Sequence, residues 1–523
     1  MAPDPTPSGR SPAALLGRIR ARMGEPGSQR RTILRNSLWE SSNFAIGSIV
    51  ALFLTPFIVA RLGDSLYGVW EMVVSLTGFL GFADLGIRPA VVHFIAKHEA
   101  RGDKEAVNRY VNTAFVAFTV AGAVVLAVAT LLAFTLPRMW GLAEGFEAQA
   151  TAAILIVGGG FAVELPFNAF SAVLVGKQRY DILRSISLGM LGVRAALIIA
   201  VLSQGWGLVA LSLVVVGVTT VSMLLYVIAA FRLEPDLRFA PRMITKASLA
   251  KMLRFGGWAM AVIVALQVTW AADPLVIGTA ISAAAVTYFA IGFKLAFYAR
   301  EFLRVMARVL EPASGQMFGR GDTDGIRRLL TRSVRAMLLV AGPIVAYLLV
   351  AGEPFIRRWM AEAYANDSGR VLRIMTFAVI PAMASAPLMA IHYGTGRVRS
   401  LAWLMILEAL GNLALSLILV RHWGIEGVAF GTLVPAVIVH GFLLPLGMCR
   451  HYEISYLRFL VMTTVGPLLA TVATWLVLRM VVDAEAAYGY PALFALAGLS
   501  VVIYAAAALL LRLVSRPLVE DAA

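Results

Sequence analysis

Cysteine is nearly absent. Cys449 is the single one in 523 residues, which excludes an intrachain disulfide, and no CxxC or paired Cys/His spacing offers a structural zinc site. Charge is scarce as well: 14% of residues are Asp, Glu, Lys or Arg, against roughly 25% in an ordinary soluble domain. With 60% hydrophobic residues and a mean hydropathy of +0.81, a water-soluble globule would expose more apolar surface than a monomer tolerates. Nucleotide and catalytic motifs are missing too. Gly176-Lys177 lacks the leading Gly and following Ser/Thr of a phosphate-binding loop, and there is no HExxH, GxSxG or EF-hand pattern. Neither a soluble enzyme nor a cofactor is supported, and no cofactor is expected.

What is present is a series of charge-free stretches long enough to cross a hydrocarbon core, which takes about 20 apolar residues as helix. They predict an all-α integral membrane protein with about fourteen spans, near 37–60, 66–92, 110–136, 150–175, 183–203, 206–231, 255–277, 283–310, 334–351, 371–393, 400–420, 426–447, 459–480 and 488–511. Basic residues outnumber acidic ones 45 to 30, and they concentrate in alternate loops. Lys97, Arg101, Lys104, Lys177, Arg179, Arg238, Arg242, Arg320, Arg327, Arg397, Arg399 and Arg450 fall on one side. The positive-inside bias makes that side cytoplasmic and places both termini there. The net charge of +15 is therefore loop bias, with no nucleic-acid partner expected. Residues 1–30 have no apolar signal-peptide core and read as a disordered basic tail.

The chain repeats itself. Leu34-Arg35 with Trp39 recurs as Leu253-Arg254 with Trp258, Thr55-Pro56 as Asp273-Pro274, Arg101-Gly102-Asp103 as Arg320-Gly321-Asp322, Gly176 as Gly394, and Trp206-Gly207 as Trp423-Gly424. All five landmarks keep an offset of about 218. Six spans per copy is an even number, so both copies enter the membrane in the same orientation, and a path for substrate is expected between two parallel six-helix lobes. The division expected is a tail (1–30), an N-terminal lobe (31–232), a linker (233–253), a C-terminal lobe (254–450), an accessory helix pair (451–515) and a short tail (516–523). The residues leave open whether that pair edges the groove or braces it from the lipid side.

An Asp, Lys or Arg at a helix centre costs about 2.5–3.5 kcal/mol on insertion scales and calls for a partner, a wet cavity or a function. The eighth span carries Lys294, Arg300, Arg304 and Arg308, read as one cationic stripe from the cytoplasmic mouth to the midplane and suited to a pyrophosphate. Arg304 and Arg308 can alternatively snorkel to the interface. Arg88, Arg194 and its counterpart Asn412 complete the candidate substrate-binding set. Glu164, Glu408, Asp84 and Asp273 are the candidates for ion coupling with H+ or Na+. Asp84 and Arg88, four apart, are expected to neutralise each other. Ion pairing with Arg194 or Lys294 accounts equally well for Glu164 and Glu408. His93, His392 and His440 read as packing or interfacial residues. Trp359, beside Arg357 and Arg358, reads as an interfacial anchor with sugar stacking as the alternative.

The run Leu62-Gly63-Asp64-Ser65-Leu66-Tyr67-Gly68-Val69-Trp70, through Asp84-Leu85-Gly86-Ile87 to Arg101-Gly102-Asp103, resembles the early region of bacterial polysaccharide transporters. These are the O-antigen and exopolysaccharide flippases of the multidrug/oligosaccharidyl-lipid/polysaccharide flippase superfamily. Glu311-Pro312, Gly319-Arg320-Gly321-Asp322, Trp359 and Gly424 to Thr432 are similar in the second lobe. The resemblance implies two six-helix lobes around a central cavity, two further helices, and alternating access. The cargo it implies is an undecaprenyl-pyrophosphate oligosaccharide carried across the bacterial inner membrane for polysaccharide biosynthesis. Membrane lipids, a polysaccharide polymerase and glycosyltransferases are the partners expected with it. A cation-coupled multidrug antiporter, a lipid II flippase and a non-transporting envelope-assembly scaffold are the competing expectations.

Overall fold

The computed structural model describes the backbone of residues 26–84, 86–143, 145–483, 486 and 488–520, and the side chains of 46–511 apart from 85, 144, 241, 254–256, 484, 485 and 487. The expected basic tail lies largely outside the described residues, as do the side chains of Leu34, Arg35, Trp39 and Arg254. The described residues are helical and contain no strand. In hydrocarbon every backbone N–H and C=O must be satisfied within the segment, and the helix is the open-ended solution.

Eleven stretches are long and apolar enough to span a membrane. Two of them hold a glycine whose backbone leaves the helix, Gly63 (φ 74°, ψ 170°) and Gly424 (φ 58°, ψ −136°), so each makes two passes. Only a residue without Cβ adopts these angles cheaply. The run 283–319 adds a further pass despite its charges. The described residues therefore form fourteen membrane passes, α1 (26–62), α2 (64–99), α3 (104–139), α4 (146–176), α5 (180–203), α6 (207–233), α7 (246–280), α8 (283–319), α9 (323–359), α10 (362–394), α11 (398–423), α12 (425–451), α13 (456–481) and α14 (490–520).

The duplicated sequence landmarks share local geometry. Gly102 and Gly321 sit at φ 68° and 69°, each followed by an aspartate that caps the next helix: Asp103 accepts from the Ala106 N–H and Asp322 from the Gly325 N–H. The break between α5 and α6 at Gly205–Gly207 is matched by that between α11 and α12 at Gly424. The link after α6 is fastened to α3 by two asparagines. Asn108 bonds Asp236 O and Arg238 N, and Asn112 bonds Arg238 O and Ala240 N.

Packing differs between the two ends of the bundle. At the end opposite the basic loops, one apolar core joins α1–α6 with α7–α12 through Leu66, Tyr67, Val69, Met72, Phe289, Val371 and Trp359. Towards the basic end the core divides. One part, with Val91, Tyr110, Phe118 and Phe170, lies among α2–α4 and the first turns of α7, and the other, with Leu330, Leu401, Met405 and Met448, among α7 and α9–α13. Polar contacts reinforce the joined end. Asp64 accepts from the hydroxyls of Tyr364 (2.5 Å) and Tyr288 (3.2 Å), and Trp359 Nε1 donates to Leu52 O at 2.6 Å. Trp359 is thus buried against α1, and its indole is not available to stack on a sugar. The pair α13–α14 packs on α9, with the Tyr504 hydroxyl at Leu338 O and Pro467 O, while Phe494, Val502 and Leu509 remain exposed. That placement suits a lipid-facing brace.

Candidate functional site

In the basic half of the membrane, α7, α8, α10 and α12 enclose a cavity of about 540 Å³, bordered by Gln267, Trp270, Arg300, Arg304, Tyr393 and His440. Its cationic wall is α8. Arg300 lies with its guanidinium carbon 3.6 Å from the centroid of the Trp270 ring and contacts Glu301 at 2.5 Å. Arg304 reaches the other Glu301 oxygen at 2.7 Å through Nε. Arg308 borders the same cavity. One carboxylate thus serves two guanidiniums, leaving a net positive wall, and Arg300 Nε has no hydrogen-bond partner. Guanidinium forks match phosphate oxygens bidentately, and stacking on an indole fixes the plane of the fork. In a low-dielectric setting such a wall attracts an anion more strongly than it would in water.

Lys294 does not join this wall. Six residues before Arg300, it points about 120° away around the helix, toward α2, where its ammonium meets Glu71 at 2.6 Å and the Tyr67 hydroxyl at 2.5 Å. The single stripe read from the sequence is two separate faces: Arg300, Arg304 and Arg308 on the cavity, and Lys294 on the junction between the two halves of the chain. Pairing of Glu164 or Glu408 with Lys294 is accordingly not found.

The remaining candidates fall into three groups. Arg194 borders a second cavity of about 290 Å³ among α1, α5 and α6, with Ser187, Met190 and Tyr226. Its guanidinium donates to Thr219 at 2.8 Å, and Glu164 accepts from the neighbouring Thr220 at 3.3 Å. Asp84 and Arg88 bond through the Arg88 backbone N–H at 3.0 Å, so the Asp84 carboxylate caps the helix that resumes at Ile87. This replaces the side-chain pairing expected from their spacing. Asp273, fully buried near the opposite end, accepts from Thr432 at 2.9 Å, which itself accepts from Asn412 at 2.8 Å. Asp273 Oδ1 and Asn412 Oδ1 are both left without partners.

Several residues of consequence escape a sequence reading. His440 is no lone packing residue: its Nε2 lies 3.0 Å from Glu408 on the cavity wall. Tyr67, Glu71 and Asp64 at the junction, and Trp270 under Arg300, carry no signal beyond being polar or aromatic within a span.

Comparison with known proteins adds to this geometry. A family model described as a polysaccharide biosynthesis protein matches residues 58–368. The chain is 22% identical over 434 residues to a putative O-antigen transporter of Shigella flexneri, covering 81% of this chain and 100% of that one. It is 21% identical over 449 residues to the uncharacterized membrane protein EpsK of Bacillus subtilis strain 168, covering 84% and 87%. In fold it is similar to the lipid II flippase MurJ in an inward closed conformation, with a TM-score of 0.70 at 13% identity over 92% of this chain and 99% of that one. It is also similar to an inward-facing multidrug resistance MATE transporter, with a TM-score of 0.67 at 15% identity over 80% and 95%. Matching more than half of its length, the model places this multi-pass membrane chain in the polysaccharide biosynthesis protein family.

Proposed function

We propose that the chain is a flippase for a lipid-linked oligosaccharide in the bacterial inner membrane, with its basic end and both termini in the cytoplasm. The observation that carries this reading is the Arg300–Glu301–Arg304 wall of the cytoplasmic-side cavity. A pyrophosphate linker takes the place of Glu301 on the two guanidiniums, the glycan occupies the cavity, and the prenyl tail stays in lipid. The joined core at one end and the divided core at the other fit two lobes, 31–232 and 254–450, that rock about the junction in alternating access. A cationic wall disfavours a cationic drug as cargo. Native mass spectrometry tests the binding step: an undecaprenyl-pyrophosphate oligosaccharide is expected to remain bound where the same lipid with an uncharged linker is lost, and Arg300→Gln is expected to lose both. Equal retention of the uncharged lipid by the unaltered protein would contradict the reading.

The Asp273 cluster is the better candidate for coupling to Na+ or H+. A carboxylate in the membrane with an orphaned oxygen, beside an orphaned amide oxygen and the Thr432 hydroxyl, offers hard oxygen ligands or a proton acceptor. Asp273→Asn is expected to make transport independent of an imposed cation gradient, and an unchanged response would remove Asp273 from that role.

A further inference from the structure

At the basic end the first turns of α11 lie beside α7, and the two helices carry a pair of tryptophans outside the transport path. Trp403 is 57% and Trp258 43% exposed, with ring centroids 6.1 Å apart. Beyond Trp403 the same face of α11 presents Leu407, Leu410 and Leu417, all exposed. A row of exposed leucines on a spanning helix faces lipid, so the indoles mark the level where hydrocarbon gives way to head groups. The apolar stretch of α7 begins at Gly257, immediately before Trp258, which puts both rings at that boundary. Two guanidiniums share the position. Arg399 lies with its guanidinium carbon 5.3 Å from the centroid of the Trp258 ring, and Arg397 Nη1 is 2.6 Å from the ring nitrogens of His451 at the end of α12. Both arginines border one open groove with Ser400 and Trp403, and among the described residues neither meets a carboxylate. Lys251, exposed on α7 two turns before Trp258, adds a cation on the face that Trp258 occupies. None of these residues borders the Arg300 cavity.

We propose that this groove holds the head group of an anionic phospholipid from the leaflet at the basic end. Like charges drawn to one groove repel each other unless an anion lies between them. The phosphodiester oxygens accept from the Arg397 and Arg399 forks, the glycerol backbone lies on the indoles, and an acyl chain runs along Leu407 and Leu410. A zwitterionic lipid brings a cation of its own to the two guanidiniums, so the site selects net negative charge. The lipid also bridges α7 to α11 at a structural crossing point. The early turns of α7 pack in the core of the first half through Met252, and its later turns in that of the second half through Val262 and Ala265. Trp258 lies between them. The proposal goes beyond the cargo reading and does not depend on it.

The test titrates the full-length protein in detergent with phosphatidylglycerol and with phosphatidylcholine of the same acyl chains, counting bound lipid by native mass spectrometry. Phosphatidylglycerol is expected to bind the more tightly. A basic residue near the membrane surface contributes about a factor of five, so Arg397→Gln combined with Arg399→Gln is expected to lower that affinity roughly thirtyfold. Arg238→Gln combined with Arg242→Gln makes the same charge change at exposed positions in the link after α6 and is expected to leave the affinity unchanged. Thermal unfolding verifies that both double variants are folded. Equal affinity for the two lipids overturns the proposal, because the groove then selects no charge. An equal loss in the two double variants also overturns it, because net charge rather than the groove then holds the lipid. Inorganic phosphate that displaces phosphatidylglycerol at matching concentration overturns the lipid as occupant and makes the groove a phosphate site.

Discussion

Arg300→Gln is expected to slow leaflet-to-leaflet transfer of an undecaprenyl-pyrophosphate oligosaccharide in proteoliposomes by about a hundredfold or more. A hydrogen bond to a charged group contributes about 1.5–3 kcal/mol. Removing the guanidinium deletes two such bonds to a pyrophosphate, and each 1.4 kcal/mol is about a factor of ten. Arg300→Lys keeps the charge but loses both the fork and the face that lies on Trp270, so a loss of roughly tenfold is expected. Arg304, whose side chain is 42% exposed, is shared with water, and its replacement by Gln is expected to cost less than Arg300→Gln. Equal losses at the two positions, or none at Arg300 with the protein folded, would remove the α8 wall from the transport path.

Lys294→Met is expected to harm the protein in a different way, by loosening the junction. Lys294 and Glu71 are largely buried between α8 and α2. Deleting one partner of a fully buried pair costs about 3–5 kcal/mol because the other charge is stranded. With both side chains slightly exposed, about 2–3 kcal/mol is expected here. Glu71→Met is expected to cost a similar amount, and the double variant less than either single one, since neither charge is then left behind. Thermal unfolding of the four proteins checks this as a double-mutant cycle. Additive losses would mean that the 2.6 Å contact carries no coupling energy. Because Asp64 with Tyr288 and Tyr364 closes the same end, the loosened variant is also expected to populate the form open on that side more often.

The membrane makes some features of this chain easy to read and hides others. Fourteen passes are legible because hydrocarbon demands long apolar helices, and charges at their ends stand out against that background. The turns at Gly102-Asp103 and Gly321-Asp322 are legible because a left-handed glycine followed by a capping aspartate is a local device. Arg300 and Arg304 are legible as a four-residue repeat on one face. Lys294 shows where such reasoning stops. A fourteen-residue spacing aligns it with Arg308, but α8 is interrupted by a turn at Arg308 and Val309, and the six-residue step to Arg300 sends it to another neighbour. Asp84 and Arg88 have the spacing of an ion pair, yet the helix is interrupted between them, so the carboxylate finds a backbone N–H instead. His440 and Glu408 lie on different helices whose relative register no local pattern encodes, and the same holds for Asp273 with Asn412 and Thr432.

The most direct measurement of the central claim is transfer itself. The protein, reconstituted in liposomes with a lipid-pyrophosphate oligosaccharide in one leaflet, is assayed for appearance of the glycan in the other. The account predicts transfer by the unaltered chain that depends on the pyrophosphate and collapses in folded Arg300→Gln. Transfer that proceeds equally well with an uncharged linker, or that is indifferent to Arg300→Gln, would contradict it.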